Sequence, residues 1–256
     1  MSFDLREDNH THTDQTDGAD SLDAMLNAAE AAGLARIVVT DHVRRDSHWV
    51  PDYVRAVRTQ AALRPLEVVC GVEAKILDTF GRLDLPGGLD GVVQVIVADH
   101  QFPTRRGPMS PRETGELIAS GALRPEDAIA DLIDATARAV HQFDRVVIGH
   151  LFSVLPKIGL DESIITREHV STLAAACRAA DAAVEINEKW RTPSERVAHL
   201  LSGYGVRLVA SSDAHDLAAV GTWDYVRTVA DGMRDPESSR PGIRHHEAAL
   251  LGSALS

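Results

Sequence analysis

The apolar residues of this chain fall into short β-branched runs separated by longer amphipathic stretches. Ile37-Val38-Val39-Thr40, Leu66 to Val72, Val92 to Ala98, Arg145 to Gly149 and Arg207 to Ser212 are nearly continuous hydrophobic runs. That pattern predicts strands buried on both faces, which belong to parallel sheets covered by helices. Ala182 to Asn187 reads as the sixth strand in chain order. Phe3 to His10 reads as the first, more for the side chains it carries than for its hydrophobicity, and the total is then seven. Between the runs, 3.6-residue periodicity predicts helices over Ser21 to Leu34, Pro51 to Leu63, Pro125 to Val140, Thr166 to Ala179 and Pro193 to Leu201. Ser21 is suited to cap the first and Gly33 to stop it, and proline opens three of the others, where the first turn accepts it. Strand and helix alternate throughout, so the predicted fold is an α/β barrel of parallel strands.

Potential metal ligands recur where these strands end. His10-Thr11-His12 stands at the first, Asp41-His42 at the second, Glu73 at the third, Asp99-His100 at the fourth, His150 at the fifth and Asp213-Ala214-His215 at the last. In an extended strand, positions i and i+2 share a face, so each x-alternating pair can send two donors into one site. The carboxyl ends of barrel strands are where such folds carry chemistry. His48, His141, His169, His199, His245 and His246 lack this placement and are read as surface or structural residues.

Composition changes the picture only at its edges. The 256 residues are 44% hydrophobic and carry 26 basic against 38 acidic side chains, a formal charge of −12. This is enough chain for one full core, and the balance argues against general binding of nucleic acid. No stretch approaches the roughly 18 to 20 apolar residues of a membrane helix. The first residues lack a secretory pattern, and a cytoplasmic protein is expected. Cys70 and Cys177 are read as buried free thiols. Gln101 to Arg124, rich in Pro, Gly and Arg, is read as a long functional connection. Asp231 to Arg244 is read as an exposed loop, followed by a tail that could form a short helix.

His10-Thr11-His12-Thr13 with Thr16-Asp17-Gly18, then Thr40-Asp41-His42, Gly71-Val72-Glu73, His100, Gly149-His150 and Ser212-Asp213-Ala214-His215 resemble the polymerase-and-histidinol-phosphatase (PHP) family over residues 8 to 215. The resemblance implies a distorted (β/α)7 barrel, a single hydrolase domain over residues 1–256, and two or three divalent ions, Zn, Mn or Fe, used to hydrolyse phosphate esters. It implies a trinuclear centre: His10, His12 and Asp213 on one ion, Glu73 bridging to a second held by His100 and His150, and Asp17, His42 and His215 on the third. Glu73 and Asp213 are the catalytic carboxylates of this scheme. Asp17 stands where some members carry histidine.

Nitrogen and oxygen donors without thiolate suit these borderline and hard ions. Adjacent divalent ions make a bridging hydroxide available near neutral pH, which serves as nucleophile without a serine or cysteine. A metal-bound water, Asp14 or a nearby histidine could protonate the leaving group. Phosphate also calls for protein cations, and the candidates are Lys75, Arg105, Arg106, Lys189 and Arg191, with Arg44, Arg45 and Lys157 further ones. The expected activity is a metal-dependent phosphomonoesterase acting on a small phosphorylated metabolite, with histidinol phosphate, a nucleotide or a sugar phosphate all open. A phosphodiesterase or exonuclease, and a metal-binding module without turnover, are the alternatives.

Overall fold

A computed structural model describes residues 3–234. Among these residues ten strands and seven α-helices follow in the order β1 (Glu7–Thr11), α1 (Leu22–Ala31), β2 (Arg36–Val39), β3 (His42–Val43), α2 (Val50–Ala61), β4 (Glu67–Lys75), β5 (Gln94–Ala98), β6 (Phe102–Thr104), β7 (Gly107–Met109), α3 (Pro111–Ala119), α4 (Pro125–Ala139), β8 (Val146–Ile148), α5 (Arg167–Ala179), β9 (Ala183–Asn187), α6 (Glu195–Gly203), β10 (Arg207–Ser211) and α7 (Tyr225–Arg234). The order β1-β2-β4-β5-β8-β9-β10 forms one parallel sheet. These are the seven strands expected, β1 from the ligands it carries and the others from their hydrophobic runs. Just beyond β10 the sheet nearly closes on β1, through His12 N–H to the Ala214 carbonyl at 2.8 Å and Asp213 N–H to the His10 carbonyl at 2.9 Å.

The pleat divides each strand between two environments. Val95 and Val97, Val146 and Ile148, Val184 and Ile186, and Leu208 and Ala210 face outward and join the helices in the main core. Ile96, Val147, Ala183 and Val209 form a separate small cluster inside the barrel. Above it, on the same inward face, come Glu73 and Glu185. β1 is polar because of its work at the seam. The Asp8 carboxylate accepts the Ser212 N–H at 2.9 Å, Asn9 Nδ2 donates to the Ala210 carbonyl at 3.0 Å, and Thr11 Oγ1 donates to the Val38 carbonyl at 3.0 Å. Side-chain hydrogen bonds thus staple the strand on both edges where hydrophobic packing would have revealed it.

Several boundaries depart from the sequence reading. β4 runs through Glu73 to Lys75, so Glu73 lies within a strand instead of after it. α6 starts at Glu195 and not at Pro193, because the Ser194 hydroxyl caps the Val197 N–H. Gln101 to Arg124 is not one loop: it folds into the β6–β7 hairpin and α3. That helix begins with a capping box in which Ser110 and Glu113 satisfy each other's backbone N–H groups. The expected loop from Asp231 is helical as far as Arg234, and its remainder and the tail lie outside the described residues. Both cysteines are free and buried, and burial pushes each thiol up to about 12. Among the described residues, no helix is long and apolar enough to cross a membrane.

Candidate metal centre

Glu73 is the hub of the mouth of the barrel. The parallel register of β3 against β4 sets His42 beside it, and the His42 Nδ1 lies 2.9 Å from its Oε2. His100 Nε2 and His150 Nε2 approach its other oxygen at 2.9 and 3.1 Å. His10 and His12 lie beneath, each with Nε2 3.4 Å from Glu73 Oε2. Asp17 forms a second focus: His42, His215 and His12 stand 3.2, 3.3 and 3.5 Å from its carboxylate. Asp213 joins the two, at 3.5 Å from His12 and 3.3 Å from His215. The donor atoms draw together in three groups, His12-Asp17-His42-His215, His10-His12-Glu73 and His42-Glu73-His100. The Asp17 group thus contains the three expected residues and adds His12, while His42 uses its two ring nitrogens toward different foci.

Backbone strain marks two of these positions. His150 has φ of 24° and Asp213 of 54°, both in the left-handed region that non-glycine residues avoid. Asp213 and His215 therefore do not present one face of a strand, as their alternation suggested. β10 has ended at Ser211, and the turn at Asp213 aims both side chains into the mouth. Close packing is equally specific at Gly18 and Gly149. A Cβ at Gly18 would stand 2.7 Å from the His12 carbonyl oxygen, and one at Gly149 would stand 2.5 Å from Ile96 Cγ2.

The electrostatics follow from burying carboxylates among imidazoles. Burial alone would raise the Glu73 carboxyl, yet His100 and His10 hold it well below its ordinary range. Burial opposes charge on His10, but Glu185, Glu73 and Asp213 outweigh it and raise that imidazole well above its usual value. His150 is raised to about 10 against the same burial penalty, through Asp99 and Glu73. A field that protonates buried imidazoles is one that attracts cations. The donors fit a divalent metal in other respects also. They are all imidazole nitrogen or carboxylate oxygen, the buried His12 Nδ1 has no hydrogen-bond partner, and the Nε2 atoms of His10 and His12 face each other at 3.0 Å.

A cavity of about 900 Å³ opens over this cluster. Asp17, His42, Glu73, His100, His150, Asp213 and His215 line it, together with Trp49, Trp190 and the cations Arg44, Lys75 and Lys189. Lys75 donates to Gln101 Oε1 at 3.0 Å, and Lys189 lies 3.5 Å from Asp213. Arg105 and Arg106 do not reach this cavity. They occupy the exposed turn of the β6–β7 hairpin, where Arg105 interacts with Asp131 of α4. Arg191 is turned away too, with its guanidinium 5.4 Å from the Tyr225 ring, and Lys157 sits 4.1 Å over the ring of Trp190. Asp14 lines a separate cleft between α1 and α2.

Three contributors escaped the sequence reading: Glu185, Ser153 and Trp190. Glu185, fully buried, meets His10 Nδ1 at 3.0 Å. Asp99 accepts from Ser153 Oγ at 3.0 Å, and that hydroxyl, having given its proton, accepts from His150 Nδ1 at 2.8 Å. The Trp190 indole N–H donates to Asp213 Oδ2 at 2.9 Å. An acid between Val184 and Ile186 in a buried run was the available signal for Glu185; Ser153 and Trp190 carried none.

A parallel barrel that gathers imidazoles and carboxylates at the carboxyl ends of its strands defines the class of metal-dependent barrel enzymes. Within that class, the sequence profile of the PHP domain matches residues 8–189, and the chain belongs to the PHP domain family. The "Probable phosphatase TTE1963" of Caldanaerobacter subterraneus subsp. tengcongensis is 24% identical over 93% of this chain and 87% of its own length. The crystal structure of the "putative histidinol phosphatase hisK" of Listeria monocytogenes superposes with a TM-score of 0.59 at 15% identity, over 84% of this chain and 97% of that one, a likeness of fold.

Proposed function

We propose that the chain, as one hydrolase domain, is a metal-dependent phosphoesterase, and within that class a phosphomonoesterase for a small phosphorylated metabolite. The observation that carries this reading is the meeting of five imidazoles on Glu73 beneath a cavity rimmed by Arg44, Lys75 and Lys189. His10, His12 and Asp213 would hold one ion, Glu73 with His100 and His150 a second, and Asp17, His42 and His215 a third. Bound divalent ions supply Lewis acidity, which activates water near neutral pH and neutralises phosphoryl oxygens.

The protein's own groups orient and select. Lys75, held by Gln101, and Lys189, beside Asp213, offer point charges to a phosphate, and Arg44 offers a planar guanidinium with paired donors. The Trp190 N–H fixes one oxygen of Asp213, leaving the other toward His12 and His215. The cavity suits a small molecule, and the net charge of −12 disfavours a long polyanion, so a monoester is preferred over nucleic acid.

Phosphate release from a panel of phosphorylated metabolites, alongside para-nitrophenyl phosphate and bis(para-nitrophenyl) phosphate, tests the reading with Mn- or Zn-loaded protein. Preference for monoesters is expected. Faster cleavage of the diester would move the protein to the phosphodiesterases, and turnover of neither by metal-replete protein would leave a binding module.

A further inference from the structure

Glu185 is a buried carboxylate of the barrel interior that touches ligands of the centre without lining the cavity. It lies on β9 on the same inward side as Ala183, fully buried, and every hydrogen bond it makes is specific. Its Oε2 meets His10 Nδ1 at 3.0 Å. Its Oε1 accepts the backbone N–H of His150 and, at 2.7 Å, the Nδ2 of Asn187. His150 is the residue with φ of 24°, so this bond fastens a strained backbone. The neighbouring Gly149 packs tightly against β5, where a Cβ would stand 2.5 Å from Ile96 Cγ2.

We infer that Glu185 is a positioning residue for the centre, which sets the tautomer of His10 and pins the backbone of His150, so that both imidazoles present Nε2 toward Glu73. The inference rests on the metal-binding reading above. An ionised carboxylate can only accept, so His10 must carry its proton on Nδ1 and keep the Nε2 lone pair for a metal. Carboxylates behind metal-binding imidazoles act in this way generally. Because His10 and His150 come from strands on different sides of the mouth, one side chain registers two ligands.

Glu185→Gln separates this role from mere filling of space. Oε1 already receives two donors and must remain oxygen, so the new NH₂ group falls opposite His10 Nδ1. There it would donate, forcing the His10 proton onto Nε2, where it blocks coordination. The measurement is zinc binding by isothermal titration to metal-stripped wild-type and E185Q protein, with thermal unfolding of both. Wild-type uptake and roughly 10- to 100-fold weaker binding at one site of E185Q are expected. Glu162→Gln, which removes an acid outside the centre, is expected to bind as wild type does.

Nitrogen-15 imidazole NMR of the zinc-loaded wild-type protein gives a second measurement that depends on no variant. A slowly exchanging proton on His10 Nδ1 is expected, and if zinc sits on Nδ1 or that nitrogen carries no proton, the inference falls even should E185Q not fold. Equal zinc affinity in folded wild type and E185Q also overturns it, leaving the metal reading intact. Failure of the wild type to take up zinc, or Mn in its place, overturns both.

Discussion

Two regions of this molecule hold dense, charged sequence close to His100, and only one of them faces the chemistry. At the mouth of the barrel, side chains from β1, β3, β4 and the ends of β5, β8 and β10 meet on Glu73 and Asp17, held by parallel register and by strained backbone at His150 and Asp213. In the excursion that follows His100, the hairpin β6–β7 has a tight turn, and that turn throws Arg105 and Arg106 outward. A few residues of sequence separate Arg105 from a candidate ligand, yet Lys189, in the turn after β9, stands nearer the centre. Closeness along the chain sets reach; register and turn geometry set direction.

The largest effect should come from the hub. Glu73→Gln is expected to lower kcat by at least about 100-fold and to reduce bound metal, read by phosphate release and elemental analysis, since an amide cannot balance the charge of two ions. Wild-type turnover and metal content in that variant would dissolve the distinction between mouth and excursion.

The pH response of the same residues has opposite signs with and without metal. His10 and His150 are raised in the metal-free fold, the latter to about 10 from an ordinary 6.5. Their charged forms therefore stabilise the metal-free protein fully below about pH 6.5, and this contribution disappears as pH rises through about 10. Metal-stripped protein should lose thermal stability between pH 7 and pH 10. Metal binding must displace the same protons, so affinity should strengthen as pH rises, and calorimetry in buffers of different ionisation enthalpy should detect proton release at pH 7.

Packing under the mouth gives the next effect. Gly149→Ala drives a Cβ toward Ile96 and is expected to cost about 1 to 3 kcal/mol of stability, measured by urea unfolding, with activity falling in step because the adjoining His150 is displaced. Lys75→Ala and Lys189→Ala should each raise KM for phosphomonoesters by about tenfold, the worth of one charge-assisted hydrogen bond. Replacing Arg105 and Arg106 together by alanine should change KM by less than about twofold. A tenfold rise in that last variant would show that the hairpin swings over the cavity in solution, and the comparison would fail.

Much of this was legible in the chain. Uninterrupted β-branched runs announced the parallel strands because both faces of such a sheet are buried, and ligand residues at their ends announced a metal centre because all carboxyl ends open on one mouth. Helices with proline or serine at their starts were visible for the same local reasons. Even α3 carried a readable capping box in Ser110-Pro111-Arg112-Glu113, hidden only by the surrounding turn residues. What tertiary structure alone decided was direction and partnership. β1 is polar because it closes a seam with side-chain bonds to β10 and β2, so no hydrophobic pattern could declare it. The left-handed turn at Asp213 replaced the strand alternation that the sequence suggested, because the closing contacts with β1 overrule local preference. Glu185, Ser153 and Trp190 acquire their roles from groups 23 to 175 residues away in the chain, and the outward aim of Arg105 and Arg106 depends on a hairpin turn. Local chemistry sets which residues can ligate a metal; only the closed barrel decides which of them meet and what stands behind them.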